Sequence, residues 1–178
     1  VSYISKKGYS IVALPGACAF IPALVVSGLN PQPFTFYGFL DSKVEKRKKE
    51  LFQLKFVSNT LIFYEAPHRI LQTMKLMLDI FGDREVSLSR EITKKFESVY
   101  RGKISDLLPT LENIKGEFVI VVSGFEKSFV DTELGVVEQV KFYIDNGMNK
   151  MEAIKSVSKE RDMKKNDVYA LYHQEVEK

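Results

Sequence analysis

Apolar residues along this chain keep two rhythms, and their alternation lays out the elements. Tyr9-Ser10-Ile11-Val12-Ala13-Leu14 is a short run without a polar face, the pattern of a central parallel strand, and Pro15-Gly16 ends it. Ala17 to Val26 follows as a helix of small and apolar residues that closes at Ser27-Gly28. Strands are expected again at Phe34–Leu40, Thr60–Tyr64, Glu85–Arg90, Glu97–Arg101 and Gly116–Ser123. Between them the spacing turns helical. Ser42, with Glu45 three residues on, has the form of a capping box for a helix from Lys43 to Phe56. Pro67 opens a helix to Phe81 with Ile70, Leu71, Met74, Met77 and Leu78 on one face, and Gly82 stops it. A shorter helix is expected from Ser105 to Leu111. This order indicates α/β, with antiparallel pairing where strands follow one another without a helix.

After Gly124 the strand pattern ends. Val136/Val140/Ile144, Ile154/Val157 and Val168/Leu171/Tyr172 mark three helices over Thr132–Asn146, Met151–Lys159 and Asn166–Val176. Asn146-Gly147 reads as a stop, and Asn149 with Glu152 as a cap for the next helix. Short helices with tight turns suggest a helix-turn-helix-like module. Asn30-Pro31-Gln32-Pro33 reads as a linker, because each proline holds its predecessor extended. The chain opens Val1-Ser2-Tyr3 and enters an apolar run almost at once, so further sequence is expected upstream.

Composition narrows the classes. The 178 residues are 45% hydrophobic and 28% charged, which excludes a disordered chain. A net charge of only +3 argues against wholesale nucleic-acid coating and leaves room for a local basic patch. The single cysteine, Cys18, excludes an internal disulfide framework. With only His68 and His173 as histidines, no metal site is expected, and a reducing, cytoplasmic setting fits. No charged side chain occurs from Gly8 to Leu40, long enough to cross a bilayer. Pro15, Pro22, Pro31 and Pro33, with Gly16, Gly28 and Gly38, break that stretch, so buried core rather than membrane is expected.

Several segments have the residue types for chemistry. Leu14-Pro15-Gly16-Ala17-Cys18-Ala19 exposes backbone N–H groups with no bulky side chain in the way, at the carboxyl end of an expected strand. A tight strand–helix connection would look the same. Tyr64-Glu65-Ala66-Pro67-His68-Arg69 gathers polar groups where a strand meets a helix; Glu65 serves either as a site carboxylate or as a helix-start anion. Ser89-Arg90-Glu91-Ile92-Thr93-Lys94-Lys95 concentrates both charge signs after a strand, as a site or as a solvated loop. Lys115-Gly116-Glu117 lets something approach the backbone at Gly116. Lys43, Lys46, Arg47, Lys48, Lys49 and Lys55 outweigh Glu45 and Glu50, which suits phosphate contact or a solvated helix face. The helical tail is net negative at its start and near neutral afterwards, against a strong DNA-binding headpiece.

Taken in order, Leu-Pro-Gly-Ala-Cys-Ala at 14–19, Tyr-Gly-Phe-Leu at 37–40, Leu-Ile-Phe-Tyr-Glu-Ala-Pro-His-Arg at 61–69, Ser-Arg-Glu-Ile-Thr-Lys at 89–94 and Lys-Gly-Glu-Phe-Val at 115–119 resemble the tetrapyrrole-methylase-fold methyltransferases. The nearest resemblance is to the bacterial family that methylates a cytidine ribose 2′-oxygen in 16S ribosomal RNA. The tail, with Tyr169 and His173, is similar to that family's C-terminal module.

The resemblance implies the second lobe of a two-domain tetrapyrrole-methylase fold with a mixed sheet, plus a small C-terminal helical module. It divides the chain into a remnant of the first methylase domain (1–29), the C-terminal α/β methylase domain (30–125) and the helical module (126–178). The glycine-rich loop and Ser-Asp-x-Gly-type segment of the family's first domain do not occur here, so half of the cofactor cleft would be missing and this chain alone inactive. It also implies S-adenosylmethionine as cofactor, 16S rRNA in the small ribosomal subunit as partner, and a homodimer. Cofactor binding falls on Pro15, Gly16, Ala17, Tyr64, Glu65, Ala66, Glu91, Gly116 and Glu117. Glu65 and Glu91 become candidates for base or sulfonium-side electrostatics, and Arg69, Arg90 and Lys94 for the substrate backbone or for orienting those carboxylates. On that basis Glu65→Ala and Arg90→Ala should cut methyl transfer without unfolding the protein. The alternatives are a tetrapyrrole (corrin or porphyrin) methylase of the same fold, and a non-catalytic nucleic-acid-binding module.

Overall fold

The computed structural model describes residues 1–112, 114–125, 134–145 and 147–176. Its centre is a five-stranded mixed sheet in the order β1-β2-β5-β3-β4, with β1 at Phe34–Phe39, β2 at Thr60–Glu65, β3 at Glu85–Arg90, β4 at Ser98–Lys103 and β5 at Phe118–Val122. β1 runs parallel to β2, whereas β5 is antiparallel to both β2 and β3, and β3 and β4 form an antiparallel pair. All five residues of β5 are buried because both faces of the sheet are covered.

Side chains alternate across the sheet, and each parity finds its own core. Leu61, Phe63, Leu88, Phe118, Ile120 and Val122 pack beneath α3 (Val44–Leu54), α4 (Ile70–Phe81) and α5 (Ile104–Leu107), α5 passing into a 3-10 turn at Leu108–Leu111. Ile62, Val119 and Val121 face the other way, under Ala23 and Leu24 of α2 (Phe20–Ser27). Arg101 of β4 anchors that helix through the Val26 carbonyl. α6 (Val136–Asp145), α7 (Lys150–Glu160) and α8 (Lys165–Val176) close on a third core of Val140, Tyr143, Ile154, Val157 and Val168, which reaches the sheet domain through Phe56 and Phe125.

Several sequence expectations are corrected. Residues 9–14 form no strand: Tyr9, Val12 and Leu14 are exposed, and only a short helix α1 (Ser2–Lys6) precedes them. Apolar β-branched residues become a strand only where a neighbour supplies a ladder, and the described sheet has none for them. The Ser42 capping box does not form. α3 starts from Lys43 without a side-chain cap, and Asp41 Oδ1 accepts the Lys43 N–H at 2.8 Å instead. α4 starts at Ile70, after a turn in which the Arg69 N–H reaches the Ala66 carbonyl. Asn149 does cap α7, accepting from the Glu152 N–H at 2.9 Å. The expected helix start at Thr132 and stop at Asn146 lie outside the described residues.

Candidate functional site

Sheet direction decides which loops meet. The carboxyl ends of β1, β2 and β3 and the amino end of β5 lie at one edge, since β5 is antiparallel to its neighbours. Two rows of side chains cross that edge. In the first, Phe39, Tyr64, Val119, Ser89 and Val99 are paired across the five strands, and Tyr64 and Val119 belong to the core under α2. In the next, Glu65, Phe118, Arg90 and Ser98 are paired, with the opposite parity.

That parity separates two residues that the sequence places together. Tyr64 faces the α2 side. Burial, and then Cys18 beside it, push its phenol above the usual range, against the Phe20 and Ala19 backbone N–H groups that donate to it. Phe36 and Phe39 lie edge-on and tilted to its ring at 5.0 and 5.4 Å, and Phe20 stacks on Phe36 at 4.3 Å. The result is an aromatic wall at the amino end of α2, with Phe36 and Phe39 partly open to solvent. The Pro15-Gly16-Ala17 segment leads into this end and is exposed, with nothing within 4 Å of a side chain built at Gly16. Ser89 is fully buried in the same row, and its hydroxyl has no hydrogen-bond partner among the described residues.

Glu65 faces α3 and α4. Its side chain has no exposure, and both of its oxygens are engaged. Oε1 accepts the Ala66 N–H at 2.8 Å, and Oε2 accepts the Thr73 hydroxyl at 2.5 Å and Arg69 Nη2 at 3.3 Å. Arg69 Nε lies 3.0 Å from Oε1 as an ion pair without hydrogen-bond alignment. Thr73 also accepts from Arg47 Nη1 at 2.8 Å. The two arginines then clamp the loop after β1. Arg69 donates to the Leu40 and Asp41 carbonyls, and Arg47 to those of Asp41 and Ser42. Glu50 accepts the Asp41 N–H at 2.8 Å. Arg47 is 1% exposed. It therefore belongs to this clamp and not to the basic surface that the sequence suggests. Glu65 is thus enclosed by the clamp, away from solvent.

The third group closes over the end of β3. Glu91, in the left-handed region at φ 49°, accepts the Glu117 N–H at 2.8 Å, and its carboxylate lies 3.2 Å from Lys94 Nζ. Lys94 also pairs with Glu117 at 2.9 Å. The Glu117 N–H and then Lys94 hold the Glu91 carboxyl below its ordinary range, while bonds to Glu117 and Glu91 raise Lys94 above its own. Arg90 Nε donates to the Lys115 carbonyl at 2.5 Å. Gly116, at φ 104°, is the close approach: a Cβ there would lie 2.8 Å from Glu91 Cγ.

Of the residues singled out from sequence, Tyr64, Arg90, Glu91, Lys94, Gly116 and Glu117 come to one edge, approached by residues 15–17. Glu65 and Arg69 lie beneath that edge as the loop clamp, and the Ala66 N–H serves Glu65. The aromatic wall of Phe20, Phe36 and Phe39 was not among the residues assigned to the site from sequence, although the density of phenylalanines around Gly38 was its signal. Two cavities lie elsewhere. One of about 200 Å³ sits between Phe56, Phe125 and α7, and a wider one of about 610 Å³ lies at the opposite sheet edge around Arg84.

The family described as Tetrapyrrole (Corrin/Porphyrin) Methylases matches residues 1–108. The chain is 45% identical over 174 residues to the protein named Ribosomal RNA small subunit methyltransferase I from Bacillus subtilis (strain 168), covering 93% of this chain and 59% of that protein. It is 40% identical over 177 residues to the protein of the same name from Halalkalibacterium halodurans, covering 96% and 61%. The chain thus spans about three-fifths of the length of these relatives. Among solved structures, that of the methyltransferase CobJ aligns with a TM-score of 0.52 at 18% identity over 69% of this chain and 54% of that one. That of the cobalamin biosynthetic enzyme cobalt precorrin-4 methyltransferase, CbiF, aligns with a TM-score of 0.50 at 16% identity, over 68% and 55%. These two likenesses concern the fold.

Proposed function

The chain belongs to the tetrapyrrole (corrin/porphyrin) methylase family, and from that premise we propose that it takes part in S-adenosylmethionine-dependent methyl transfer to the ribose 2′-oxygen of a cytidine in 16S ribosomal RNA. The observation that carries the substrate is the 40–45% identity to relatives named for the small-subunit ribosomal RNA. A homodimer, a cytoplasmic setting and the division at 1–29, 30–125 and 126–178 belong to the same reading. Among the described residues no helix is long and apolar enough to cross a membrane.

The donor set at the sheet edge fits such a cofactor. The exposed rings of Phe36 and Phe39 suit a nucleobase, and the exposed backbone of Pro15, Gly16 and Ala17 suits its polar groups. Bound there, S-adenosylmethionine would supply an electrophilic methyl group on a sulfonium. The protein's task is then alignment, exclusion of water and stabilisation of the oxygen as it loses its proton. Lys94, held as a cation by Glu91 and Glu117, is the group for that oxygen. Glu91 orients Lys94, and Arg90 faces the substrate backbone. Glu65 and Arg69 position the loop after β1 and are not assigned to the chemistry.

The test uses the native protein, assembled small subunits and cofactor labelled in the methyl group. Label recovered as a 2′-O-methylcytidine in 16S rRNA is the expected result. Label that enters a porphyrinoid and leaves the subunits unmarked overturns the reading in favour of a tetrapyrrole methylase.

A further inference from the structure

The start of α3 carries charge of the wrong sign for a helix. Backbone N–H groups make a helix amino end partly positive, so carboxylates belong there and lysines oppose it. Yet Lys43, Lys46, Lys48 and Lys49 are all exposed in the first turns, against one exposed carboxylate, Glu45. Lys43, Lys46 and Lys49 stand at i, i+3 and i+6, one line of like charges about 9 Å long. Asp41 reaches Lys46 only at 3.8 Å and Glu45 engages Lys48 at 3.6 Å. Among the described residues no carboxylate pairs with Lys43 or Lys49. By contrast, the described residues of α6 to α8 and their turns carry seven basic and seven acidic side chains, with no excess for an anion.

Position gives this charge a use. α3 follows directly from the loop at 40–42, at the same sheet edge as Tyr64, Glu91 and Gly116. That loop cannot drift, because Arg47, Arg69 and Glu50 hold its backbone groups. A stripe mounted on it therefore keeps a fixed distance from the site.

We infer that Lys43, Lys46 and Lys49 form the surface on which the phosphate backbone of the ribosomal RNA rests, flanking the nucleotide at the sheet edge. This rests on the reading of the protein as an rRNA methyltransferase and assigns the RNA contact to α3 rather than to the helical module.

The experiment measures binding of the native protein to assembled small subunits across a KCl series. The triple variant Lys43→Gln, Lys46→Gln, Lys49→Gln should flatten the slope of log affinity against log salt by about 2, since each phosphate neutralised on a single strand contributes about 0.7. Its KM for subunits should rise, and its thermal midpoint should not fall below the parent's, because all three side chains are exposed and those of Lys43 and Lys46 oppose the helix amino end. A control triple, Lys155→Gln, Lys164→Gln, Lys165→Gln in the module, should leave the slope unchanged. An unchanged slope in the α3 variant, or an equal flattening in the control, overturns the inference while leaving the methylation reading intact. A parent protein that neither binds nor methylates the subunits overturns both.

Discussion

Replacing Glu65 by alanine tests whether that carboxylate is a reagent or a fastening. The sequence alone predicts lost methyl transfer in a protein that stays folded; the structure reverses the order. Removing the side chain leaves the Ala66 N–H and the Thr73 hydroxyl without their acceptor, and two arginines clustered in the interior with no carboxylate between them. Breaking a buried ion pair from one side costs about 3–5 kcal/mol. That is a large fraction of the about 5–15 kcal/mol that separates a folded domain from its unfolded chain. For a domain of this size the midpoint should fall by about 10 °C. Thr73→Val keeps the charges and breaks only the hydroxyl link between Glu65 and Arg47, so it should cost about 1–3 kcal/mol and rank second. Circular dichroism melts of the parent and both variants, with methyl transfer assayed well below each midpoint, decide the matter. If Glu65→Ala melts with the parent yet transfers no methyl, the fastening role is wrong and the carboxylate belongs to the chemistry.

Two further outcomes follow from the cluster around Gly116. Gly116→Ala adds a Cβ 2.8 Å from Glu91 Cγ at a backbone φ of 104°, so it should lower stability by about 1–3 kcal/mol and release the depressed Glu91 titration followed by NMR; a parent-like midpoint and titration would count against the crowding. The pH dependence has a definite sign. Glu91 is depressed, so its contribution is present above the ordinary carboxylate range and is lost as pH falls through its lowered value; Lys94 is raised, so its share is lost only as pH climbs through its own. The midpoint difference between parent and Lys94→Met should accordingly be level through neutrality and close at both extremes, and denaturation across pH that shows no such plateau refutes the pairing.

What could be read beforehand follows from how burial writes itself into sequence. The five apolar residues of β5 announce a strand covered on both faces, and the stripe of Ile70, Met74 and Met77 announces α4. The same uniformity hides direction. Leu61-Ile62-Phe63-Tyr64 is apolar at both parities, so alternation puts Tyr64 and Glu65 on opposite faces but nothing in the run says which of them meets α2 and which meets α3 and α4. The residues that hold Glu65 come from α3 and α4, and Arg47 sits within a run of lysines where a charged residue is expected to be solvated. Tyr9 to Leu14 shows the converse: strand propensity was legible, but the ladder that would realise it was not a property of that segment.

The late position of β5 in the chain bears on how the protein is made. The strand that fills the middle of the sheet is the last of the five to be synthesised, so a growing chain that has passed β4 holds two separate pairs of strands, each with one apolar edge bare. Such edges invite pairing with other molecules, and non-local closure of this kind is slow. Completion of the domain therefore waits on the few residues from Phe118 to Val122, and substitutions there should reveal themselves first as aggregation during synthesis.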